Sequence, residues 1–348
     1  MKSLKDVFYN SYLLNKEKVI LETHSKDSDE SFTFYEFYER IKLLQNCFYY
    51  YGVKKGDSIA ILAQDIPRWN IAFFAIVNMG CIVVPISKFN NKEFIHRATE
   101  ATNCNLLLLQ KGLISDSVFS QLREDTHLTI IDIDTRECIL SPIKMFQRIS
   151  TQDNIAYSLT MPKIEVNALD IAAIEVKIDH YSVHTKQYTH EELINLAKQE
   201  SSKLNMTEDD TFMSIITMSY MNRKILGSII PILTGTKTVF KPRNSSFNEI
   251  VSLISEVKPD VIFTVPKIIE LVYKSDVVDE DLRSLMDIGD KKLSLLDKLK
   301  LKIQGIKIYK LLGGKLRICS LDKSSSNSKI LKFLNASGLG FKINFDKM

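Results

Sequence analysis

No stretch of this chain is apolar for long enough to cross a bilayer. The most apolar long window, Ile71 to Ile86, carries Asn78 and Gly80 in its middle and falls short of the roughly twenty residues a spanning helix needs. It reads instead as a buried helix, a glycine stop and a strand. The N-terminus, Met1-Lys2-Ser3-Leu4-Lys5-Asp6, lacks the continuous apolar run of a secretory signal, so export is not expected. An excess of one charge is also missing, because 46 basic residues against 42 acidic ones leave a formal net charge of +4 over 348 residues. That excess argues against nucleic acid as a partner and leaves room only for local basic patches facing acidic lipid or substrate. Cysteine is sparse. Cys47, Cys81, Cys104, Cys138 and Cys319 are widely spaced and mostly set in apolar context, which predicts reduced core thiols in a cytoplasmic protein. His180, His184 and His190 lie in a short polar stretch without a fourth ligand nearby, so no metal site is expected. No G-x-G-x-x-G follows any strand, which excludes a dinucleotide-binding oxidoreductase.

What is present is the composition of a globular protein, 45% hydrophobic and 25% charged, with one large or two modest domains. Thr33 and Glu36 form a capping box before Phe34, Phe37, Ile41, Leu44 and Phe48 at helical spacing, and Gly52 ends that helix. Ser58 to Ala63, Pro67 to Met79 and Cys81 to Ile86 then read as strand, helix and strand. A helix near Lys92 to Thr102 and strands at Cys104 to Leu109 and Leu128 to Ile133 continue the alternation. It weakens from Ser141 to Leu169 and resumes with Ile171 to Val176, a helix from Thr189, Thr236 to Phe240, Phe247 to Val257, Val261 to Val265 and Lys267 to Tyr273. Helices alternating with fully apolar strands predict an α/β protein of two subdomains, residues 1–150 and 151–348, with mostly parallel sheets covered by helices.

Particular strings go further. Ser31 to Phe37 (SFTFYEF), Tyr51 to Ile61 (YGVKKGDSIAI), Pro67-Arg68-Trp69 and Met79 to Ile86 (MGCIVVPI) resemble, in order, the opening landmarks of adenylate-forming enzymes. Phe212 to Tyr220 (FMSIITMSY), Glu256 to Lys267 (EVKPDVIFTVPK) and Leu312 to Arg317 (LGGKLR) resemble later landmarks of the long-chain fatty acid–CoA ligase type. The chain is thus similar to the N-terminal part of an AMP-forming acyl-CoA synthetase from about residue 30 onward. The resemblance implies the two-subdomain α/β body of that family, without its C-terminal domain. It also implies a chemistry that joins fatty acid to coenzyme A through an acyl-adenylate, with ATP, magnesium and coenzyme A as cofactors.

The residues depart from that chemistry at several points. The family holds phosphates with a glycine-rich, hydroxyl-rich loop, because backbone N–H groups must approach the oxygens closely. After the matching strand this chain has Val176 to Tyr188, VKIDHYSVHTKQY, which contains no glycine. Ser182, Thr185 and Lys186 are the candidate remnants of phosphate contacts, against the alternative of a polar surface loop. Thr189 matches the family's closing Thr, yet with Glu192 it also makes a capping box whatever the ligand. Ser219, Tyr220 and Arg223 are the acyl-pocket candidates, with Tyr220 where the family has His. Asp322-Lys323-Ser324-Ser325 replaces a small-residue adenine wall, and the chain reaches Met348 before the family's magnesium and ribose contacts. The expectation is a degenerate ligase-like protein that forms no adenylate, has no catalytic residues of its own and keeps at most an acyl or protein partner. The alternative is an active fragment completed by another chain.

Residues 291–310 carry one further expectation. Lys291, Lys298 and Lys302 recur at helical spacing beside Leu293, Leu296, Leu299, Ile303 and Ile306. One reading is contact with acidic lipid at the inner membrane face; the other is a core-packed helix with a solvated lysine face.

Overall fold

The computed structural model describes residues 2–24, 30–64, 67–86, 91–124, 128–142, 161–179, 182–215, 221–241, 245–264, 266–275, 278–280, 294–322 and 342–346. Two compact units form, interleaved along the chain. The first comprises Met1–Leu21, Ser31–Lys203 and Thr217–Gly235, the second Glu22–Glu30, Leu204–Ile216 and Thr236–Met348. The units therefore do not part at residue 150. The first runs on beyond that point because its sheet takes two more strands from residues after 170.

In the first unit, α1 (Leu4–Leu14), α2 (Phe34–Tyr50) and α3 (Pro67–Asn78) pack through aromatic rings, with Phe8 5.4 Å from Phe37 and 5.0 Å from Phe74 between centroids. Apart from half-buried Arg68, every residue of α3 is buried, as befits a helix apolar nearly all round. The capping box expected at Thr33 is present, its N–H donating 2.8 Å to the Glu36 carboxylate. The sheet combines β3 (Ser58–Leu62), β4 (Ile82–Pro85), β5 (Cys104–Leu109), β6 (Thr129–Asp132), β7 (Cys138–Leu140), β8 (Ile171–Ile178) and β9 (Val183–Thr189). Their order is β7-β6-β5-β3-β4-β8-β9, parallel in the centre and antiparallel at β6–β7 and β8–β9. Helices α4 (Lys92–Ala101) and α5 (Asp116–Glu124) follow β4 and β5, and α6 (His190–Leu204) follows β9. α7 (Met221–Thr234) joins this unit, where the Ser11 hydroxyl donates 2.5 Å to the Ile232 carbonyl.

The second unit supplies most of another sheet. With β1 (Val19–Thr23), β2 (Glu30–Thr33), β10 (Thr211–Ser214), β11 (Lys237–Phe240), β12 (Val261–Thr264), β13 (Ile318–Asp322) and β14 (Lys342–Asp346), the order is β14-β13-β12-β10-β11-β1-β2. The four pairings from β14 to β11 are all parallel. α8 (Phe247–Val257), α9 (Pro266–Lys274) and α10 (Leu295–Leu311) supply the covering layer, with Ile254, Ile262, Leu301, Ile308 and Cys319 in its core. Four cysteines are buried, Cys138 is half-buried, and all five are free thiols. Burial pushes Cys47, Cys81 and Cys104 up to about 12, as expected of inert core sulfur.

Two strings singled out in the sequence meet here as structure. In EVKPDV, Asp260 accepts a 2.9 Å hydrogen bond from the Thr211 N–H and a 3.2 Å contact from the Lys315 ammonium of LGGKLR. Arg317 of the same string holds Asp210 at 2.6 Å. The double glycine ends α10 in a Schellman motif, with Gly314 N–H to Tyr309 O at 2.9 Å and Gly313 N–H to Lys310 O at 3.0 Å. Gly313 has φ of +88°, and a Cβ there would lie 2.8 Å from both Ile254 O and Lys258 Cα of the neighbouring backbone. Gly314, at φ of +69°, faces open space. Gly313→Ala is therefore expected to destabilise the chain by roughly 1 to 3 kcal/mol, and Gly314→Ala by only about 1, as read by urea unfolding midpoints. Equal losses would contradict the close approach.

Candidate functional site

The stretch that the resemblance assigns to phosphate binding is a β-hairpin, which corrects the expectation of a polar loop from Val176 to Tyr188. β8 and β9 pair antiparallel from Ile171↔Thr189 to Ile178↔Val183, and only Asp179-His180-Tyr181-Ser182 joins them. β8 is buried through Ala172 to Val176 and anchors the hairpin on β4, with Val83 opposite Ala173. β9 contributes Val183, Thr185, Tyr188 and Thr189, β-branched and aromatic side chains that suit a pleated edge.

Each of the phosphate candidates Ser182, Thr185, Lys186 and Thr189 has a position in this stretch. The Ser182 N–H donates 2.7 Å to Asp179 Oδ1, and its hydroxyl lies 2.9 Å from both carboxylate oxygens. His184 Nε2 stands 2.8 Å from the same hydroxyl. Ser182 thus closes the turn onto an acidic side chain. Thr185 and Lys186 are consecutive on β9, so they point to opposite faces of the sheet. The Lys186 ammonium lies 4.8 Å from the Tyr188 ring centroid, and the Tyr188 hydroxyl beside it holds it above the usual lysine range. Thr189 caps α6: its N–H donates 2.8 Å to Glu192, and its hydroxyl accepts from the Glu192 N–H at 3.2 Å. The cap thus occupies the N–H and the hydroxyl of Thr189. Ser219 and Tyr220 lie outside the described residues. Arg223 sits in the first turn of α7, and its side chain lies outside them too.

One residue carries more than its sequence signal suggested. His190 follows the capping Thr, is fully buried, and accepts the Leu4 N–H on Nδ1 at 3.2 Å. An accepting Nδ1 puts the proton on Nε2, which finds no partner among the described residues. Beside it Asp170 makes a 2.7 Å ion pair with Lys55, while the Lys55 ammonium also donates 2.8 Å to Glu165 O. Burial alone would raise the Asp170 carboxyl, but hydrogen bonds from Lys55 and the Asn167 N–H hold it below the usual range. Only helical spacing against a buried partner would have exposed His190 in the sequence, and a single His gives no period.

The first unit also holds a cleft of about 780 Å³ between α1, α2 and residues 161–164, lined by Lys5, Tyr9, Tyr38, Asn78 and Met161 among others. None of the candidate phosphate or acyl residues lines it. Among the described residues no group of His, Cys, Asp or Glu could hold a metal ion. Nor, among them, is any helix long and apolar enough to cross a membrane.

Burial pushes the His190 imidazole down to about 4 from its ordinary 6.5. The unfolded chain takes up the proton first as pH falls, so this residue's contribution is complete above pH 6.5 and lost on the way to 4. Between pH 7 and pH 5 that loss is about 2 kcal/mol for a fully buried group. Thermal melting across this range should show a steeper acid decline in the wild type than in His190→Asn, whose amide oxygen can still accept from Leu4. Parallel declines would contradict it.

Residues 13–172 match the model of the AMP-binding enzyme family. The chain is 26% identical over 250 residues to a 4-coumarate–CoA ligase of Vanilla planifolia, an alignment covering 67% of this chain and 42% of that protein. It is 19% identical over 291 residues to the long-chain-fatty-acid–CoA ligase ACSBG2 of Rattus norvegicus, covering 79% of this chain and 42% of that one. The chain thus spans about two fifths of the length of these curated relatives. Among solved structures, the N-terminal domain of FACL13 from Mycobacterium tuberculosis superposes with a TM-score of 0.74 at 12% identity, covering 100% of this chain and 76% of that one. Such identity speaks for the fold alone. The similarity to the AMP-binding enzyme family thus lies in residues 13–172, and the α/β body shares the fold of that N-terminal domain.

Proposed function

We propose that this chain is a degenerate relative of the long-chain fatty acid–CoA ligases that does not form acyl-adenylate and retains at most acyl or partner binding. The observation that carries the reading is the closed β8–β9 hairpin with Asp179 in its turn. A phosphate cradle needs several N–H and hydroxyl donors that are free and convergent. Here the Ser182 N–H and hydroxyl already face a carboxylate, which puts negative charge where phosphate oxygens would come. Thr185 and Lys186 face apart, and Thr189 is committed to its helix. The residues present do not fit a nucleotide triphosphate, so no step through ATP or magnesium is derived for them.

The magnitude supports the same reading. Adenylation develops charge on the attacked phosphate, and removing a single preorganised donor typically costs about a hundred- to a thousandfold in rate. A whole set of donors is in question here. A partner chain could add a further domain but could not reopen this hairpin. Long-chain acyl specificity rests on FMSIITMSY and EVKPDVIFTVPK, the strings similar to that branch.

The test is fatty-acid-dependent exchange of labelled pyrophosphate into ATP with magnesium, over a range of acyl lengths. No exchange above a no-enzyme control is expected. Exchange clearly above it, and abolished by Lys186→Ala or Thr185→Ala, would show a working variant of the loop.

A further inference from the structure

α10 is apolar on two opposite faces, and among the described residues only one of them packs on the core. Leu301, Gln304, Gly305 and Ile308 turn inward, with Leu301 and Ile308 fully buried in the core of the second unit. On the other side Leu295, Leu296, Leu299, Ile303 and Ile306 are 87%, 63%, 58%, 49% and 57% exposed. At about 100° per residue these five fall within one third of the helix circumference, and the buried group is centred opposite them. α10 is thus packed on the core with its lysines exposed, but the core takes the face opposite the Leu and Ile stripe.

The charges around the exposed stripe are of one sign. Lys298 and Lys302 border it on one side, Lys300 and Lys307 on the other, and Lys310 closes its C-terminal end, all of them exposed. Asp297 is the acid of α10, and it is spent on the capping box with Ser294, whose hydroxyl donates to it at 2.6 Å.

We propose that α10 docks on an anionic lipid surface, its Leu and Ile stripe entering the headgroup boundary and its lysines meeting lipid phosphates. A surface helix with an apolar stripe and a lysine border gains from both burial and charge at such an interface. Lysine stems reach outward along the apolar surface and keep their ammonium groups at headgroup level. A second copy of the chain fits less well. Stripe against stripe would bring the lysine borders of both copies together with no acid on either face to offset them. The proposal does not depend on whether the chain forms adenylate.

The experiment is flotation of the full chain with phosphatidylcholine vesicles, with and without phosphatidylglycerol, at low and high salt. Recovery is expected only with the anionic vesicles and should fall at high salt, as screening shortens the reach of the lysines. Lys298→Glu with Lys302→Glu should lower partitioning by roughly tenfold or more. Leu299→Asn with Ile303→Asn should lower it as well. Both pairs are exposed, so unchanged melting temperatures confirm folding. In Leu299→Trp, emission should shift to the blue on vesicle addition, against a constant background from fully buried Trp69. No recovery with either vesicle, equal recovery with both, or recovery that neither pair alters overturns the proposal. So does a dimer in sedimentation equilibrium that Leu299→Asn with Ile303→Asn dissolves.

Discussion

The antiparallel ladder between β8 and β9 is the constraint on which the first unit and its functional reading both depend. β8 extends the parallel sheet beside β4, and β9 then closes the sheet's edge before delivering Thr189 to the start of α6. Once Ile171 stands opposite Thr189 and Ile178 opposite Val183, four residues remain to turn the chain. A register shift would flip every side chain of β9 and take Tyr188 out of its buried place. The same ladder that completes the sheet thus sets the face each β9 candidate takes, with Lys186 opposite Thr185.

The residues that carry the family resemblance mostly perform architectural work. Thr33 and Glu36 cap a helix, Lys315 and Arg317 hold the carboxylates of Asp260 and Asp210, and Gly313 lets α10 end against the backbone of α8. These tasks depend on backbone geometry and not on a ligand, so they persist wherever the fold does. In the function proposed above, the chemistry would depend on a different set of groups, the phosphate donors of the β8–β9 stretch.

Long periodic elements with caps were legible in the sequence. Phe247–Val257 has a capping serine, a helical apolar stripe and a left-handed Lys258 at its end, and it lies where the pattern put it. α3, α4, β3 and β5 were equally plain. α5 was not, since its apolar residues are few, and neither was α1, where exposed Tyr9, Leu13 and Leu14 blur the buried stripe of Leu4, Phe8 and Tyr12. β9 was missed because Val183 to Thr189 alternates polar residues on an exposed edge, and apolar periodicity is silent where one face is wet and the other only half covered. The interleaving of the two units follows from long-range strand pairing, which no local pattern encodes. α10 shows the opposite difficulty. Its apolar residues signal a helix well, but two facing stripes give no net direction, so the sequence could not say which stripe the core would take.

The central claim is that β8 and β9 pair as a ladder and do not form a nucleotide-binding loop. Hydrogen exchange of the backbone amides in this stretch, measured with and without magnesium and ATP, tests it directly. The account predicts slow exchange at alternate positions of β9, those bonded to β8, with the same rates in both conditions. Fast exchange throughout the stretch without nucleotide, and protection on its addition, would contradict it.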